Sequence, residues 1–559
     1  MAPAKQSEIG FRPTATGKGS DLAGDEWLRD CVIYQVFIPS FADSDGDGIG
    51  DLRGAMSQLD YLQWLGVDAV WFNPCFTSPF RDAGYDVADY LSIAPRYGSN
   101  NDMVAFVEEA RRRGIRVLLD LVAGHTSIEH PWFRASANDP HDDRYIWSDR
   151  LGEGFVASPG SRPGYYLKNF FDEQSALNFG YARTAADEPW RQPVDAAGPR
   201  ANREALCEVM AFWLDLGIDG FRVDMAYSLV KDDPGLAATA ALWRELRDWV
   251  AARYPDAVLV PENDVRTTPE TGVQAGFDAD FFLVIEHAHS LLFNNGGAGT
   301  LATLPDHRDC YFDASAPDPS TTFGAFLQQW DPHQRATEGG RLVILPSSDH
   351  DYSRLATAPR TGEQLGAAFT FLLTWGSIPS IYYGDEIGMR YLTGLPDREG
   401  SKWSPGFNRA GCRTPMQWDN SLPNAGFSTA PPDDLYLPQD TLPDRPTVAA
   451  QRADPNSTLR RVQRLIRLRR ATPQLRTSAP TTVLAAGYPL VYLRGDDHLV
   501  VVNPAGFHAA VDVSALQTHD ARPLEVSGVR VAAGRVDAEP FGYGIFELQP
   551  HPEPAGRDA

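Results

Sequence analysis

Cysteine is scarce: Cys31, Cys75, Cys207, Cys310 and Cys412 are the only five in 559 residues. They are scattered, odd in number and form no CxxC pair. That argues against a disulfide framework or a cysteine-ligated zinc site, and buried free thiols are expected instead. Long hydrophobic runs are missing too. No stretch approaches the ~18 apolar residues of a membrane span. The opening MAPAKQSEIGFRPTATGKGS lacks the apolar core of a signal peptide. No membrane association and a cytoplasmic location are therefore expected, and the Asn456-Ser-Thr triplet reads as a chance match to a glycosylation acceptor. Basic charge is in deficit, with 50 Lys and Arg against 74 Asp and Glu and a net charge of −24. Neutralising phosphates takes clustered Lys and Arg, so no nucleic-acid partner is expected. What is present is an ordinary globular composition, 43% hydrophobic and 22% charged, in a chain long enough for several domains.

Residues 1–26 are polar and aperiodic and read as a flexible tail. From Trp27, short apolar runs alternate with helical patterns. The runs are VIYQVFIPSF, VDAVWFNPCF, RVLLDLVAGH, GFRVDMA, AVLVPEND, DADFFLVI, RLVILPSSDH and SIPSIYYGDE. Near-continuous apolar runs suit strands buried on both faces of a parallel sheet. Between them, Leu206, Val209, Met210, Trp213 and Leu216 recur at spacings of three and four, which predicts a helix over NREALCEVMAFWLDLG ending at Gly217. Eight β-then-α units imply a closed (β/α)₈ TIM barrel, an α/β fold, over 27–125 and 200–472. Residues 126–199, rich in Asp, Pro, Trp and Tyr, read as a domain inserted after strand three. Residues 473–552, with short alternating runs, read as a C-terminal antiparallel β-domain. The basic segment RRVQRLIRLRR reads as a solvated helix face.

In such a barrel, chemistry sits where strands end and βα loops begin. Asp120 and His125 end strand three, Arg222 and Asp224 strand four, Glu262 strand five, and Asp349, His350 and Asp351 strand seven. Retaining glycosidases need a carboxylate nucleophile and a second carboxyl that serves as acid and then as base, about 5–5.5 Å apart. Adjacent strands can hold such a pair. Arg222, two residues before Asp224, faces the same way, and its charge is expected to keep a nucleophile ionised. Glu262 follows Pro261 at an apolar strand end, where desolvation is expected to keep an acid protonated.

DLVAGH, GFRVD, Glu262 in VPEND and the DHD at Asp349 to Asp351 resemble, in this order, the motifs of the α-amylase family, glycoside hydrolase family 13. The resemblance runs from about Trp27 to the C-terminus. It implies Asp224 as nucleophile, Glu262 as acid/base and Asp351 as transition-state stabiliser, with Arg222, His125 and His350 lining the subsite of the cleaved sugar. DAGYD resembles the family's non-reducing-end anchor, putting Asp82 on sugar hydroxyls and Tyr85 under the ring. Arg409 resembles the arginine that closes the same pocket. RTPMQWD and YYGDEIGM are most similar to the oligo-1,6-glucosidase, α-glucosidase and trehalose synthase branch.

The resemblance thus implies a retaining α-glucosidase acting on short, neutral α-glucosides. A glucosyltransferase or isomerase of the trehalose synthase type is the alternative within the family. A non-catalytic, chaperone-like relative is the alternative outside catalysis, but the full set of three carboxylates favours an enzyme. Several positions depart from the pattern. Gly124, Ala176 in QSALN and Ser228 fall where calcium-dependent amylases place ligands, so that calcium site is not expected. Asp349 stands where the motif has Asn, and Met225 follows the nucleophile where valine or a small residue is familiar.

A separate loop, DSDGDGIGD, carries a carboxylate at every second position with glycines for a tight turn, a pattern suited to calcium's many hard oxygen ligands. It resembles the single calcium loop of oligo-1,6-glucosidases. The expected ligands are Asp43, Asp45, Asp47, Asp51 and the Ile49 carbonyl, holding a structural Ca²⁺, with Mg²⁺ as the alternative ion.

Overall fold

The computed structural model describes residues 24–263, 266–282, 288–293, 310–312, 319–336, 341–357, 360–404 and 407–551. Each of the eight apolar runs contributes one strand of a parallel sheet. These are β1 (Ile33–Val36), β2 (Ala69–Phe72), β3 (Arg116–Val122), β4 (Gly220–Asp224), β5 (Val258–Pro261), β6 (Asp280–Phe281), β7 (Val343–Pro346) and β8 (Ile378–Tyr382). Their order around the sheet is β5-β4-β3-β2-β1-β8-β7-β6. The ends approach where Asp278 N–H donates to the Leu259 carbonyl at 3.0 Å, so the barrel is nearly closed.

The runs are continuously apolar because both faces are buried. Ile33, Trp71, Leu118, Val260, Phe281 and Ile344 fill the barrel interior. Their chain neighbours, among them Tyr34, Val70, Leu119 and Leu259, pack outward under the helices. Trp71 and Phe281 meet edge to face at 5.5 Å across the interior. The helix expected to end at Gly217 spans Ala197–Asp215, starting inside the stretch assigned above to the insertion. Gly217 follows it at φ 101°, a left-handed turn that glycine adopts without strain.

Beyond β3, His125–Ser127 pairs antiparallel with Gln174–Ala176, and Trp147–Ser148, Phe155–Ala157 and Tyr165–Leu167 form a small sheet of their own. At the C-terminal end, six antiparallel strands between Thr481 and Pro550 enclose a separate core around Val491, Leu499, Val501 and Phe546.

Two expectations are corrected. The tail expected to reach residue 26 gives way at residue 24 to the helix Gly24–Arg29; residues 1–23 lie outside the described residues. The basic helix, Thr458–Ala471, is more than a solvated face, for only one side carries the exposed arginines Arg467 and Arg470. It buries Leu459, Val462, Leu465, Ile466 and Arg469 against the barrel. The spacing of its apolar residues is that of an amphipathic helix, and the arginines between them obscured the stripe.

Candidate active site

A cavity of about 320 Å³ opens at the carboxyl ends of the strands. Asp82, Tyr85, His125, Asp224, Glu262, Asp351 and Arg409 line it. Arg222 and His350 do not reach its surface. They lie directly behind it, 2% and 0% exposed, and act on the lining groups from below.

Register places the central charges. Arg222 on β4 stands opposite Asp120 on β3. Its guanidinium donates to Asp120 at 2.8 Å and to Asp224 at 3.0 Å, and its other terminal nitrogen lies 3.0 Å from Glu262. Trp71 supports it from inside the barrel, 5.4 Å below. Glu262 is fixed twice: its N–H donates to the Val223 carbonyl at 2.8 Å, and its carboxylate accepts the Met225 N–H at 2.9 Å. Met225 can aim that N–H because it sits in the left-handed region at φ 42°. A non-glycine residue there is strained, and such strain concentrates at functional sites.

Burial pushes the Asp224 carboxyl up, the charge of Glu262 adds to this, and Arg222 opposes it. The Asp224 carboxyl is thus set by two opposed neighbours, the Glu262 carboxylate and the Arg222 guanidinium, which also faces Asp120. Burial likewise lifts Asp120 to about 6 against the pull of Arg222.

The opposite wall is an ion-pair chain. Arg409 donates to Asp82 at 2.8 Å and to Asp351 at 3.0 Å, and Arg413 donates to Asp351 at 2.9 Å. Burial works against ionising Asp351, yet His350, Arg409 and Arg413 hold its carboxyl well below the usual carboxylate range. Because burial depresses His350 itself to about 3 and keeps it neutral, the two arginines carry that effect. Asp349 accepts the N–H groups of Asp351 at 2.7 Å and of Tyr352 at 2.9 Å, so it holds the turn that presents Asp351. Gln174 donates to the second oxygen of Asp82 at 2.8 Å. Tyr85 stacks on His350 with centroids 5.4 Å apart, and its hydroxyl reaches Asp120 at 3.0 Å and His350 at 2.8 Å.

Gly124 has a local cause. A Cβ there would lie 2.7 Å from Ser228 Oγ and 3.0 Å from the Asn169 amide. Asn169, from the inserted segment, fills that space. It contacts His125 Nδ1 and Ser228 Oγ at 3.1 Å each and accepts Lys231 Nζ at 2.7 Å. The same ammonium donates to the Ser228 carbonyl at 2.5 Å. A lysine thus ties the insertion to the barrel beside His125 and Ser228. Burial, then Arg266, brings this ammonium down to about 7.

Sequence reasoning missed Asn169, Lys231, Phe170, Tyr227, Asn263 and Tyr352, of which the last four line the cavity. Asn263 carried a usable signal, since it directly follows Glu262 at a strand end. It is 3% exposed and its Oδ1 has no partner among the described residues. All five cysteines are buried thiols.

In the acidic loop after β1, carboxylate oxygens of Asp43, Asp45 and Asp51 lie within 4.8 Å of one another. Asp43 also accepts the Gly46 and Gly48 N–H groups at 2.7 and 2.8 Å, and Asp51 caps the helix Leu52–Ser57. Asp47 does not join that group and accepts the Ile49 N–H at 2.8 Å.

Residues 35–478 match the alpha-amylase catalytic domain. The chain is 32% identical to the trehalose synthase/amylase TreS of Mycobacterium tuberculosis, across 95% of this chain and 92% of that one. It is 33% identical to a probable alpha-glucosidase of Rhizobium meliloti, across 84% and 87%. The crystal structure of a mutant trehalulose synthase in complex with Tris matches with a TM-score of 0.76 at 25% identity, covering 94% of this chain and all of that one. Family, fold and site geometry converge: the chain is an enzyme of the α-amylase family.

Proposed function

We propose that the enzyme cleaves the terminal α-linked glucose from short α-glucosides with retention of configuration. The observation that carries this reading is the Asp82–Arg409–Asp351 chain, which walls one side of a pocket whose other side holds Asp224 and Glu262. A walled pocket of this size suits one sugar ring.

In the first step, the Asp224 carboxylate attacks C1 of the glucosyl unit. Glu262 gives its proton to the leaving oxygen, and a β-linked glycosyl ester forms. In the second, Glu262 takes a proton from water as the oxygen attacks C1, the ester bond breaks and Asp224 leaves as carboxylate. Two inversions return an α product. One guanidinium lies 3.0 Å from each carboxyl and keeps the two side by side. Asp351, kept ionised by Arg409 and Arg413, is suited to gripping hydroxyls and offsetting the positive charge that develops on the ring. Identity of 32% to a trehalose synthase/amylase along nearly the whole chain favours a second reading. In it, the released sugar, rather than water, attacks the glycosyl ester, and the linkage is isomerised.

The acidic loop is proposed to hold one structural Ca²⁺, or Mg²⁺. The fit rests on the three convergent carboxylates, with Asp43 and Asp51 already oriented by backbone N–H groups. A divalent ion there would offset their mutual repulsion. Asp47 and the Ile49 carbonyl complete the proposed ligand set.

Asp224→Asn and Glu262→Gln are each expected to cut kcat by orders of magnitude with an unchanged circular dichroism spectrum. Proton NMR of fresh wild-type product is expected to show the α anomer first. A variant with near wild-type turnover, or a β product, would overturn the assignment.

A further inference from the structure

At the opposite end of the barrel, where strands begin, lies a second cavity of about 280 Å³. On the same measure one water needs roughly 10–15 Å³, so there is room for a many-atom ligand. Its wall comes from the residues that open β1, β2 and β3 and from the C-terminal end of the helix Thr458–Ala471.

The wall is basic in an otherwise acidic protein. Arg116, Arg469, Arg470 and Arg476 face Asp30 and Asp68. Two of these arginines are well matched: Arg470 pairs with Asp68 at 2.5 Å, and Arg116 pairs with Asp219 at 2.8 Å while stacking on Trp27. Arg476 donates to the Arg470 carbonyl at 2.6 Å, but its ion pair with Asp30 is long, 3.6 Å, and its side chain is 37% exposed. Arg469 is the telling residue. It is 1% exposed, and its terminal nitrogens donate only to neutral groups, the carbonyls of Leu373, Leu475 and Ser377 and the Thr477 hydroxyl. Its Nε has no partner among the described residues. Burial, then the nearby Arg494, pulls this guanidinium down to about 10, an expense that a nearby anion would relieve. Asp30 and Asp68 offset part of that cost, but among the described residues no carboxylate pairs with Arg469 directly, so a further counter-charge is favourable.

We propose that this cavity at the amino-terminal face of the barrel binds a phosphate-class anion, either free phosphate or the phosphate ester of a small sugar. Guanidinium groups suit phosphate oxygens, and the wall brings positive charge from different segments, Arg116 at the start of β3, Arg469 and Arg470 on the helix and Arg476 beyond it. An anion entering beside Arg476 and Arg469 would replace the weak Asp30 contact with charge-assisted hydrogen bonds. The site is independent of the glucoside pocket, so its failure would leave the proposed activity untouched.

The test is isothermal titration calorimetry on the full chain with inorganic phosphate and, separately, a hexose monophosphate, at constant ionic strength. Saturable one-site binding is expected, with Tm rising to a plateau as the anion is added. Arg476→Gln and Arg470→Gln, both on partly exposed side chains, are each expected to weaken binding about tenfold or more, since each removes a positive charge from the wall facing the anion. Their kcat/KM on a glucoside should stay at the wild-type value. Tighter binding of the ester would assign the ester, and equal binding would assign free phosphate. No saturable binding of either ligand at millimolar concentration, or equal affinity in wild type and both variants, would overturn the proposal.

Discussion

Charged side chains are buried at several points of this molecule, and each is held by a different device. Asp82 and Asp351 are neutralised by Arg409, and Arg222 is shared among three carboxylates. Truncating one partner of such a pair costs on the order of 3–5 kcal/mol, because the other is left uncompensated. Among the described residues no cation pairs with Glu386. One oxygen accepts the hydroxyls of Tyr34 at 2.8 Å and Tyr61 at 2.7 Å, and the other has no partner among the described residues. Burial raises its carboxyl to about 7, with the two tyrosines pulling the other way. A carboxyl that titrates higher in the folded chain stabilises it when protonated. That contribution is full below the unfolded value and is lost as pH rises through 7. The loss is on the order of 3 kcal/mol. Glu386→Gln keeps the acceptor oxygen and removes the titration. Tm of the wild type should therefore fall relative to that of Glu386→Gln between about pH 5 and 7.5. Asp86 and Asp120 also titrate high but are common to both proteins. Parallel Tm curves would refute the account.

Among the elements, the acidic loop shows how a short segment gains a defined shape. Asp43 N–H donates to the Phe427 carbonyl at 2.9 Å, and Ser428 donates to Asp43 at 2.5 Å, so the loop is stitched to a distant segment. Gly48 sits at φ 91°, where a Cβ would meet the Asp434 carbonyl at 2.2 Å, so only glycine fits. If a divalent ion completes this loop, chelation should lower Tm and leave KM nearly unchanged, because a site occupied only in the folded state stabilises by mass action. Differential scanning calorimetry before and after EDTA, with metal analysis of the protein as purified, checks this. An unmoved Tm with no copurifying metal would reduce the loop to a turn. The alternating aspartates were readable in the sequence, but the departure of Asp47 from the cluster was not. Alternation fixes spacing along the chain, whereas convergence depends on how the turn closes.

For the whole molecule, the fold bears on substrate size. The insertion after β3 contributes Phe170 and Gln174 to the pocket wall, and the segment after β8 contributes Arg409. The pocket wall is thus built by parts far apart in sequence, and on the proposed function it receives a chain end rather than a chain interior. Rates on a disaccharide such as maltose should exceed those on soluble starch. Faster attack on starch, with a rapid loss of iodine staining, would mean an open cleft. Among the described residues no helix is long and apolar enough to cross a membrane. The sequence by itself determined the eight-stranded barrel and the carboxylates at its rim, because strands buried on both faces must be apolar throughout and polar groups can stand only where they end. Tertiary structure alone decided the rest. It paired Arg409 with Asp82 across 327 positions, put Asn169 in the space beside Gly124, and sank Arg469 beneath the barrel. Such contacts join residues whose nearness comes only from the closing of the chain on itself, and local pattern carries no record of it.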